Sequence, residues 1–378
     1  MRILFTFIGG SGHFNPLVPI AHAAEAAGHT VAVAGSGSMV STIEAAGFTA
    51  FATSEPRPRP PAPERVPLEP VDPEGEDRQL RDGFAGRGAR RYASVIPDIV
   101  RAWQPDVLVR DEVDFGTAVA AELLGLPCAT VLVLAAGTFL RKELVADPLH
   151  QLRSELGLPS DPALTMLDRG LVLSPFPPNF RSPDAPLPAT TFSYRPTVEP
   201  SPGATSRTPT VYFTLGTVYN DPDLHTRVLA GLRDLPADIV MTVGEHIDPA
   251  EFGPQPGRIR IERFIPQDEV LPHCDLVISH GGSGSLMGTL AHGLPSVLLP
   301  MGADQPHNAR RCVELGMGRT LDPVTVTPET VRDTVSAVLA DHAYRHAAGR
   351  VRDEINALPG VEMTVPQIER LHQQRHRG

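Results

Sequence analysis

The sequence contains little cysteine, little lysine and no long apolar run, and each shortage excludes a class of protein. Three cysteines in 378 residues, without paired spacing, give neither a disulfide framework nor a zinc site. No apolar run reaches the roughly 20 residues that span a bilayer. The chain opens on a strand pattern rather than a signal peptide. We therefore expect a cytoplasmic protein that does not bind a membrane.

Positive charge is also scarce. The formal net charge is −11, and Lys142 is the only lysine among the 33 basic residues. This balance disfavours nucleic acid and anionic membrane surfaces as partners. Hydrophobic residues make up 41% of the chain, so we expect a globular protein, and its length is ample for two domains.

The first half of the chain has the alternating strand and helix pattern of a doubly wound α/β domain. Asn15 suits a helix N-cap and Pro16 the first turn of the first helix, which places His13 in a glycine-rich loop after the first strand. The pattern predicts strands at 2–7, 30–34, 48–52, 107–110, 128–134, 171–173 and 190–194, and helices at 16–27, 39–46, 80–102 (interrupted by Pro97) and 115–124.

The first glycine-rich turn does not fit a dinucleotide site. Gly10 and Gly12 begin a GxGxxG pattern, but Asn15 stands where the third glycine belongs. The second strand also ends without the acidic residue that holds an adenosine ribose. The sequence therefore disfavours NAD as a cofactor.

A proline-rich segment interrupts the first half between residues 55 and 77. It has eight prolines between Pro56 and Pro73 and alternates acids with arginines, which excludes a strand and disfavours a helix. Its position suits a flap over a substrate pocket, and a disordered insertion is the alternative.

A second α/β pattern follows a proline-, serine- and threonine-rich linker at 196–209. We expect an N-terminal domain at 1–195, a C-terminal domain at 210–360 and a last helix, within 361–378, that packs back on the first domain. The second pattern predicts strands at 211–214, 239–243, 259–261, 276–279 and 296–299, and helices at 224–232, 286–292, 306–315, 328–339, 342–358 and 365–374, with a short helix after Gln267.

The stretch from His280 to Asn308 has the features of an anion-binding βαβ unit. Gly281, Gly282 and Gly284 follow a buried strand and precede a helix, and they lack the Cβ atoms that would keep an anion from the backbone. The unpaired N–H groups and dipole of a helix N-terminus favour an anion there. A glycine-rich turn that only connects two elements is the alternative.

Five motifs together resemble a known family. They are GSGHFNP near the N-terminus, Asp111 after a strand, FIPQ at 264–267, HGGSGS at 280–285 and DQ at 304–305. With them the chain resembles, over nearly its whole length, a family 1 glycosyltransferase of the GT-B fold, most like the bacterial members that attach deoxysugars to natural products such as antibiotics. The resemblance implies two Rossmann-like domains facing a cleft, a nucleotide-sugar donor and a small-molecule acceptor.

The resemblance also implies which residues bind the donor. Phe264 would stack on the pyrimidine, unless it is an ordinary core residue, and Gln267 would reach the ribose or cap the next helix. Asp304 would bind sugar hydroxyls or serve as a helix N-cap. The implied contacts are Gly216, Thr217, His280, Gly282, Ser283 and Gly284 for the diphosphate, Phe264, Ile265 and Gln267 for the nucleoside, and Asp304 and Gln305 for the sugar.

One departure from the family pattern concerns the ribose. In many UDP-sugar relatives a glutamate that binds both ribose hydroxyls stands at the place of Gly288. Without that acid the pocket has less reason to demand a 2′-hydroxyl, and a dTDP-sugar is the expected donor.

His13 is the candidate general base. Its imidazole titrates near neutrality, so it can accept a proton from an acceptor hydroxyl, and a carboxylate on its other nitrogen would stabilise the imidazolium. Asp111 matches the family's partner, with Glu112 and Asp114 as rivals. Gly12 and Phe14, beside His13, are expected to contact the acceptor.

The expected reaction is direct displacement with inversion, without a metal. Asp221 and Asp223 form a DxD pattern, a metal–diphosphate motif in another fold, which we interpret here as a turn and N-cap. A GT-B-fold epimerase or hydrolase and a non-catalytic nucleotide-sugar-binding helper are the alternatives, and the chain is expected to be a monomer or homodimer.

Overall fold

A computed structural model describes residues 1–56, 68–196, 208–216 and 221–375 of the chain. Within these ranges the chain forms two parallel sheets, each with its own hydrophobic core, which confirms the doubly wound expectation. Most of the predicted linker, residues 197–207, lies outside the described residues, as do residues 57–67 of the proline-rich segment.

The strand order of both sheets reverses beside the first strand of the half. The first sheet has the order β3-β2-β1-β4-β5-β6-β7 and the second β10-β9-β8-β11-β12-β13. Ligands of open parallel sheets bind at the carboxyl ends of the strands near such a reversal. The strands are β1 (Arg2–Thr6), β2 (Thr30–Gly35), β3 (Thr49–Ala52), β4 (Val107–Asp111), β5 (Cys128–Val131), β6 (Val172–Ser174), β7 (Thr191–Ser193), β8 (Thr210–Thr214), β9 (Asp238–Thr242), β10 (Ile259–Glu262), β11 (Leu276–Ser279), β12 (Ser296–Leu298) and β13 (Gly318–Thr320).

The helices lie between the strands in both halves. A π-helix, Gln79–Gly88, also runs between α4 and α5. The helices are α1 (Ser11–Phe14), α2 (Val18–Ala26), α3 (Val40–Ala45), α4 (Pro73–Arg78), α5 (Ala89–Trp103), α6 (Phe115–Leu124), α7 (Lys142–Glu155), α8 (Pro222–Leu232), α9 (Gln267–Val270), α10 (Ser283–Ala291), α11 (Gln305–Glu314), α12 (Pro328–Ala340), α13 (His342–Ala357) and α14 (Thr364–Arg375).

The first helix does not begin where the sequence predicts. A single helical turn, α1, forms immediately after the glycines, and the longer α2 begins only after Leu17. Asn15 is therefore not an N-cap: it ends α1, where its N–H donates to the carbonyl of Ser11 at 2.9 Å. His13 accordingly lies in a helical turn and not in a loop, which restricts its backbone.

β5 ends three residues earlier than predicted, at Val131. The N–H groups of Val133 and Leu134 donate to Oε1 of Glu112, at 2.7 and 2.5 Å. Because a buried carboxylate takes these two donors, they are not available to a neighbouring strand.

The expectation of no helix before residue 77 is wrong. Pro73 is tolerated because it lies in the first turn of α4, where its missing N–H would have no intrahelical partner. The π-helix and α5 then continue to Trp103, and α5 passes through Pro97. Two further elements, α7 and β13, were not predicted.

The last helix packs on the first half of the molecule, as expected from the sequence. Val365 and Ile368 are 4% and 0% exposed, in a core cluster shared with strand β1. Nε2 of His29 lies 3.1 Å from Oε1 of Glu369 on α14. In the described parts of the chain, no helix is both long enough and apolar enough to cross a membrane.

Candidate active site between the two sheets

His13 and Asp111 come together at the carboxyl end of the first sheet. The turn α1 follows β1, and Asp111 is the last residue of the adjacent strand β4. Nδ1 of His13 lies 3.5 Å from Oδ2 of Asp111, an ion-pair separation. The Asp111 side chain is fully buried, whereas 22% of the His13 side chain is exposed. The imidazole can therefore exchange a proton with a bound molecule.

The Asp111 carboxylate is held by backbone donors. The N–H of Ile8 donates to Oδ2 at 2.8 Å, and those of Val113 and Asp114 donate to Oδ1 at 2.7 and 2.9 Å. Arg110, 1% exposed, binds the carbonyls of Asp111 and Glu112, both at 3.0 Å, and fixes the chain on either side. The oxygen that faces His13 is thus fixed in place before any ligand binds.

The rival acids are engaged elsewhere. Glu112 accepts from the N–H groups after β5, and burial raises its pKa. Asp114 caps α6 by accepting from the N–H of Thr117 at 3.0 Å, and burial raises its pKa to about 6. Asp111 is therefore the carboxylate that the fold places against His13.

The pKa of His13 reflects two opposing effects. Burial is the largest single effect and lowers the pKa, but the neighbouring carboxylates outweigh it and raise the pKa above 6.5. Asp111 contributes most to this increase, and Asp304 from the second half also contributes. The raised pKa makes the imidazole a better proton acceptor.

The glycine turn of the second half opens directly onto α10. Its N-cap residue is Gly282, and no side chain caps the helix. The first N–H groups of a helix have no intrahelical acceptor, so this end of α10 presents donors and the positive end of the helix dipole. A methyl group added at Gly284 would meet no atom within 4 Å, so the space beside it is open.

His280 is held between two glycines. A methyl group at Gly216 would approach Cε1 of His280 to 2.6 Å, and one at Gly282 would approach Nε2 to 2.5 Å. Burial lowers the pKa of His280 to about 4, and its buried Nδ1 has no hydrogen-bond partner among the described residues. The ring is therefore neutral at pH 7, so it can donate one hydrogen bond but carries no positive charge.

Ser283 and Asp304 bind each other instead of pointing freely at a ligand. Oγ of Ser283 donates to Oδ2 of Asp304 at 2.5 Å, and Nδ2 of Asn308 donates to the same oxygen at 2.8 Å. Asp304 occupies the N-cap position of α11, but its side chain does not cap the helix. Gln305 is 4% exposed and accepts from the N–H of Met301 at 2.8 Å.

The predicted nucleoside residues lie beside this turn. Phe264 is 69% exposed, so it is not a core residue, whereas Ile265 is buried. Nε2 of Gln267 donates to Oγ of Ser285 at 3.0 Å, which ties the FIPQ segment to α10. A methyl group at Gly288 would approach Oε1 of Gln267 to 2.8 Å, so Gln267 fills the space beside that glycine.

The remaining predicted residues are placed differently. Phe14 is 2% exposed and packs against Phe7 with ring centroids 5.2 Å apart, so its side chain belongs to the core, and its contact with an acceptor stays a prediction. Gly12 is exposed, and Thr217 lies outside the described residues. Asp221 caps α8 by accepting from Asp223 N at 2.7 Å, as predicted.

The described end of the proline-rich segment, residues 68–88, reaches the second half. Leu68 packs against the core of the second sheet, and Oε1 of Glu76 accepts from the N–H of Ala303 at 3.0 Å. Phe84, on the π-helix, lies 6.0 Å from His13 between ring centroids. We call residues 68–88 the strap, since they connect the surroundings of His13 to the loop before Asp304.

Sequence reasoning missed Asn308 and Glu76. Asn308 is fully buried and bonds to both Ser283 and Asp304. Its spacing of four from Asp304 was a usable signal, because residues four apart share a helix face. The strap offered no such signal. Among the described residues, no group of three or more His, Cys, Asp or Glu side chains is arranged to hold a metal ion.

Known proteins resemble this chain in sequence. Residues 226–371 match the family described as "Erythromycin biosynthesis protein CIII-like, C-terminal domain". The chain is 30% identical to 10-deoxymethynolide desosaminyltransferase of Streptomyces venezuelae, over 100% of this chain and 98% of that protein.

Solved structures agree with the sequence comparison. The spinosyn rhamnosyltransferase SpnG complexed with thymidine diphosphate is 26% identical, with a TM-score of 0.79 over 98% of this chain and 100% of that one. The same protein complexed with spinosyn aglycone gives a TM-score of 0.78 at 26% identity over the same shares. The GT-B expectation is thereby confirmed.

Proposed function

Because this chain belongs to the GT-B glycosyltransferases related to bacterial natural-product deoxysugar transferases, we propose that it is an inverting enzyme that moves a deoxysugar from a dTDP-linked donor to a hydroxyl of a small-molecule acceptor. The relatives support the deoxysugar and the acceptor class: one transfers desosamine to 10-deoxymethynolide by its name, and another is solved with its aglycone.

One observation carries this proposal: His13, backed by Asp111 at 3.5 Å in the first half, and the uncapped N-terminus of α10 in the second half both lie at strand carboxyl ends. A proton acceptor and a site for a departing anion are the two groups that direct displacement needs. The backbone after β5 of the first sheet binds Ser283 and Asn308 of the second half, so the two halves are in contact beside these groups.

In the proposed reaction His13 takes the proton of the acceptor hydroxyl. The hydroxyl oxygen forms a bond to the anomeric carbon while the bond from that carbon to the diphosphate oxygen breaks. Attack opposite the leaving group inverts the configuration. The resulting imidazolium is stabilised by the Asp111 carboxylate, whose orientation is fixed by backbone N–H groups.

The diphosphate would leave onto the start of α10. The N–H groups of Gly282, Ser283 and Gly284 and the helix dipole would stabilise its charge, with a hydrogen bond from neutral His280. Thr217 is proposed to add a further donor. This scheme involves no metal, and chelation with EDTA should leave the transfer rate unchanged; loss of activity restored by Mg²⁺ would contradict it.

The nucleoside would stack on Phe264, whose ring is exposed without an aromatic partner among the described residues. The side chain of Gln267 occupies the space beside Gly288, which supports a donor without a 2′-hydroxyl contact from an acid at that position. Comparing turnover of dTDP- and UDP-linked sugars tests this point, and a strong preference for UDP-glucose would contradict it.

The central experiment replaces His13 with alanine. We expect transfer to fall by roughly 10²–10⁴-fold, the contribution of a general base, while the affinity for dTDP stays near that of the wild type. Near-normal turnover would remove His13 from the role. Incubating the wild type with donor alone separates a transferase from an epimerase or hydrolase, and activity of the purified chain alone separates it from a helper.

A further inference from the structure

Asn308 lies at the centre of the hydrogen bonds between the two halves. It is 0% exposed, on the first turns of α11. Its Nδ2 donates to the carbonyl of Gly281 at 2.9 Å, to Oγ of Ser283 at 3.2 Å and to Oδ2 of Asp304 at 2.8 Å. Its Oδ1 accepts from the N–H of Ala136 at 3.0 Å. Every polar atom of this buried side chain therefore has a partner.

The partners fix the orientation of the amide. The Gly281 carbonyl can only accept, and the N–H of Ala136 can only donate. A flipped amide would place N–H against N–H at Ala136 and oxygen against oxygen at Gly281. One orientation alone satisfies the network, so Asn308 specifies how these groups are arranged.

The network crosses between the halves at two consecutive residues. Ala135 and Ala136 follow strand β5 of the first sheet. The N–H of Ala135 donates to Oγ of Ser283 at 2.8 Å, next to the bond that Asn308 receives from Ala136. The backbone after β5 therefore docks on Ser283 of the glycine turn and on Asn308, both of which bind the Asp304 carboxylate.

We propose that Asn308 is a positioning residue for the transfer reaction, one that holds the glycine turn and the Asp304 carboxylate in their donor-binding arrangement by docking them on the Ala136 backbone. This rests on the proposed function, which assigns donor contacts to the turn and to Asp304. Asn308 itself contacts no reacting atom. This role makes donor binding depend on the contact between the two halves.

The charges around Asp304 make one substitution informative. Burial raises the pKa of Asp304, while its bonds from Ser283 and Asn308 and the nearby charge of His13 act in the opposite direction. Glu76 lies close by, on the N–H of Ala303. Asn308→Asp keeps the size of the side chain and an oxygen for Ala136, but it replaces the donors by a second carboxylate facing Asp304. Two facing carboxylates repel each other when both are ionised, and this repulsion is relieved at lower pH, where one of them is protonated.

The test measures dTDP binding and amide exchange in the full chain. With Asn308→Asp, we expect dTDP affinity to fall by at least about tenfold near pH 8 and to recover partly near pH 6. With Asn308→Ala, it should fall at both pH values without recovery. The control is Glu314→Gln on the exposed end of the same helix, which should bind dTDP like the wild type.

Hydrogen exchange gives a readout that needs no ligand. The amide of Ala136 should exchange faster in Asn308→Ala but keep its protection in Asn308→Asp, while amides of β8 serve as the internal reference. Wild-type affinity of Asn308→Asp near pH 8, or unchanged exchange at Ala136 in Asn308→Ala, would overturn the proposal. If the wild type itself bound no dTDP, the proposed function would fail, and the exchange result would still decide the docking role of Asn308.

Discussion

At the scale of single residues, the proposed chemistry depends on how burial and neighbouring carboxylates balance at His13. Burial favours the neutral ring, and Asp111 favours the imidazolium. A general base has to be neutral before it accepts a proton and has to be stabilised after it does. The 3.5 Å separation between His13 and Asp111 serves the second requirement, at the cost of protonating part of the base at mildly acidic pH.

This balance predicts a pH dependence. Because the pKa of His13 is raised above 6.5, the transfer rate of the wild type should fall as the pH drops through a midpoint above 6.5. Asp111→Asn removes the carboxylate that raises the pKa most, so the midpoint should move to lower pH. The maximal rate should also fall by roughly 10²-fold or more, because the imidazolium loses its stabilising charge. Profiles of kcat/KM against pH give the midpoint for the free enzyme, and kcat at its pH optimum gives the loss of rate.

Asp111→Asn needs a control for folding, because an amide cannot accept from all of the backbone N–H groups that bind the carboxylate. Thermal unfolding and dTDP affinity should show that the second half is unaffected. An acid limb at the same pH in both proteins would mean that a group other than His13 titrates.

Two glycines offer a matched pair of substitutions that tests where the diphosphate binds. Gly284 and Gly349 are both helical, and an added methyl group meets nothing within 4 Å at the first and only a side-chain end at 3.9 Å at the second. Alanine should stabilise either helix by about 0.5–1 kcal/mol. Gly284→Ala should nonetheless weaken dTDP binding by about tenfold or more, because its methyl group would occupy the proposed diphosphate space, whereas Gly349→Ala should not. Calorimetric titration with dTDP measures the difference, and equal affinities would place the diphosphate elsewhere.

At the scale of elements, the strap joins the surroundings of His13 to the second half through few contacts. Ala303 has a φ of +52°, a region that non-glycine residues rarely adopt, and its N–H is bound by Glu76. That hydrogen bond helps to hold both α4 and the loop before Asp304. Leu80 and Ala85 anchor the π-helix in the core of the first half, so the part of the strap expected to open locally is the end that contacts the second half through Leu68 and Glu76.

The strap prediction uses two glutamates of α4. Glu76→Ala should speed amide exchange at 68–78 and at Ala303 and raise the KM for the acceptor, because it removes the bond from the strap to the second half. Glu74→Ala changes the same charge on the same helix, but the Glu74 side chain is 90% exposed, so it should leave exchange and KM unchanged. Equal behaviour of the two variants would show that the strap is held in another way.

The elements also show what sequence can and cannot predict. Strands β1, β4 and β11 each contain three consecutive apolar residues, the pattern of a strand that is buried on both sheet faces. The end of β5 is decided by a group elsewhere in the chain, because Glu112 binds the amides after β5 and only the fold brings them together. The same is true of the site. Its motifs were readable because their residues are adjacent, whereas the contact of Ala136 with Asn308 joins positions 172 residues apart.

At the scale of the whole molecule, the two halves share hydrophobic contacts as well as the site. One core cluster combines Leu132 and Phe180 of the first half with Leu286 and Ile355 of the second. The last helix, α14, follows the second half in sequence but packs on the first. The stability of the first half therefore depends on residues near the C-terminal end of the chain.

Two side chains near the C-terminal end test whether it is burial in the core, rather than place in the sequence, that stabilises the first half. Ile368 is 0% exposed in the core of the first half, whereas Met363, five residues earlier, is 45% exposed. Ile368→Ala should cost about 2–5 kcal/mol of unfolding free energy, because it leaves a cavity against α2 and β5. Amide exchange should then rise in β1 and β2 and not in β8 or β11, while Met363→Ala should change neither sheet. If Ile368→Ala instead loosened both sheets equally, the two halves would unfold as one cooperative unit.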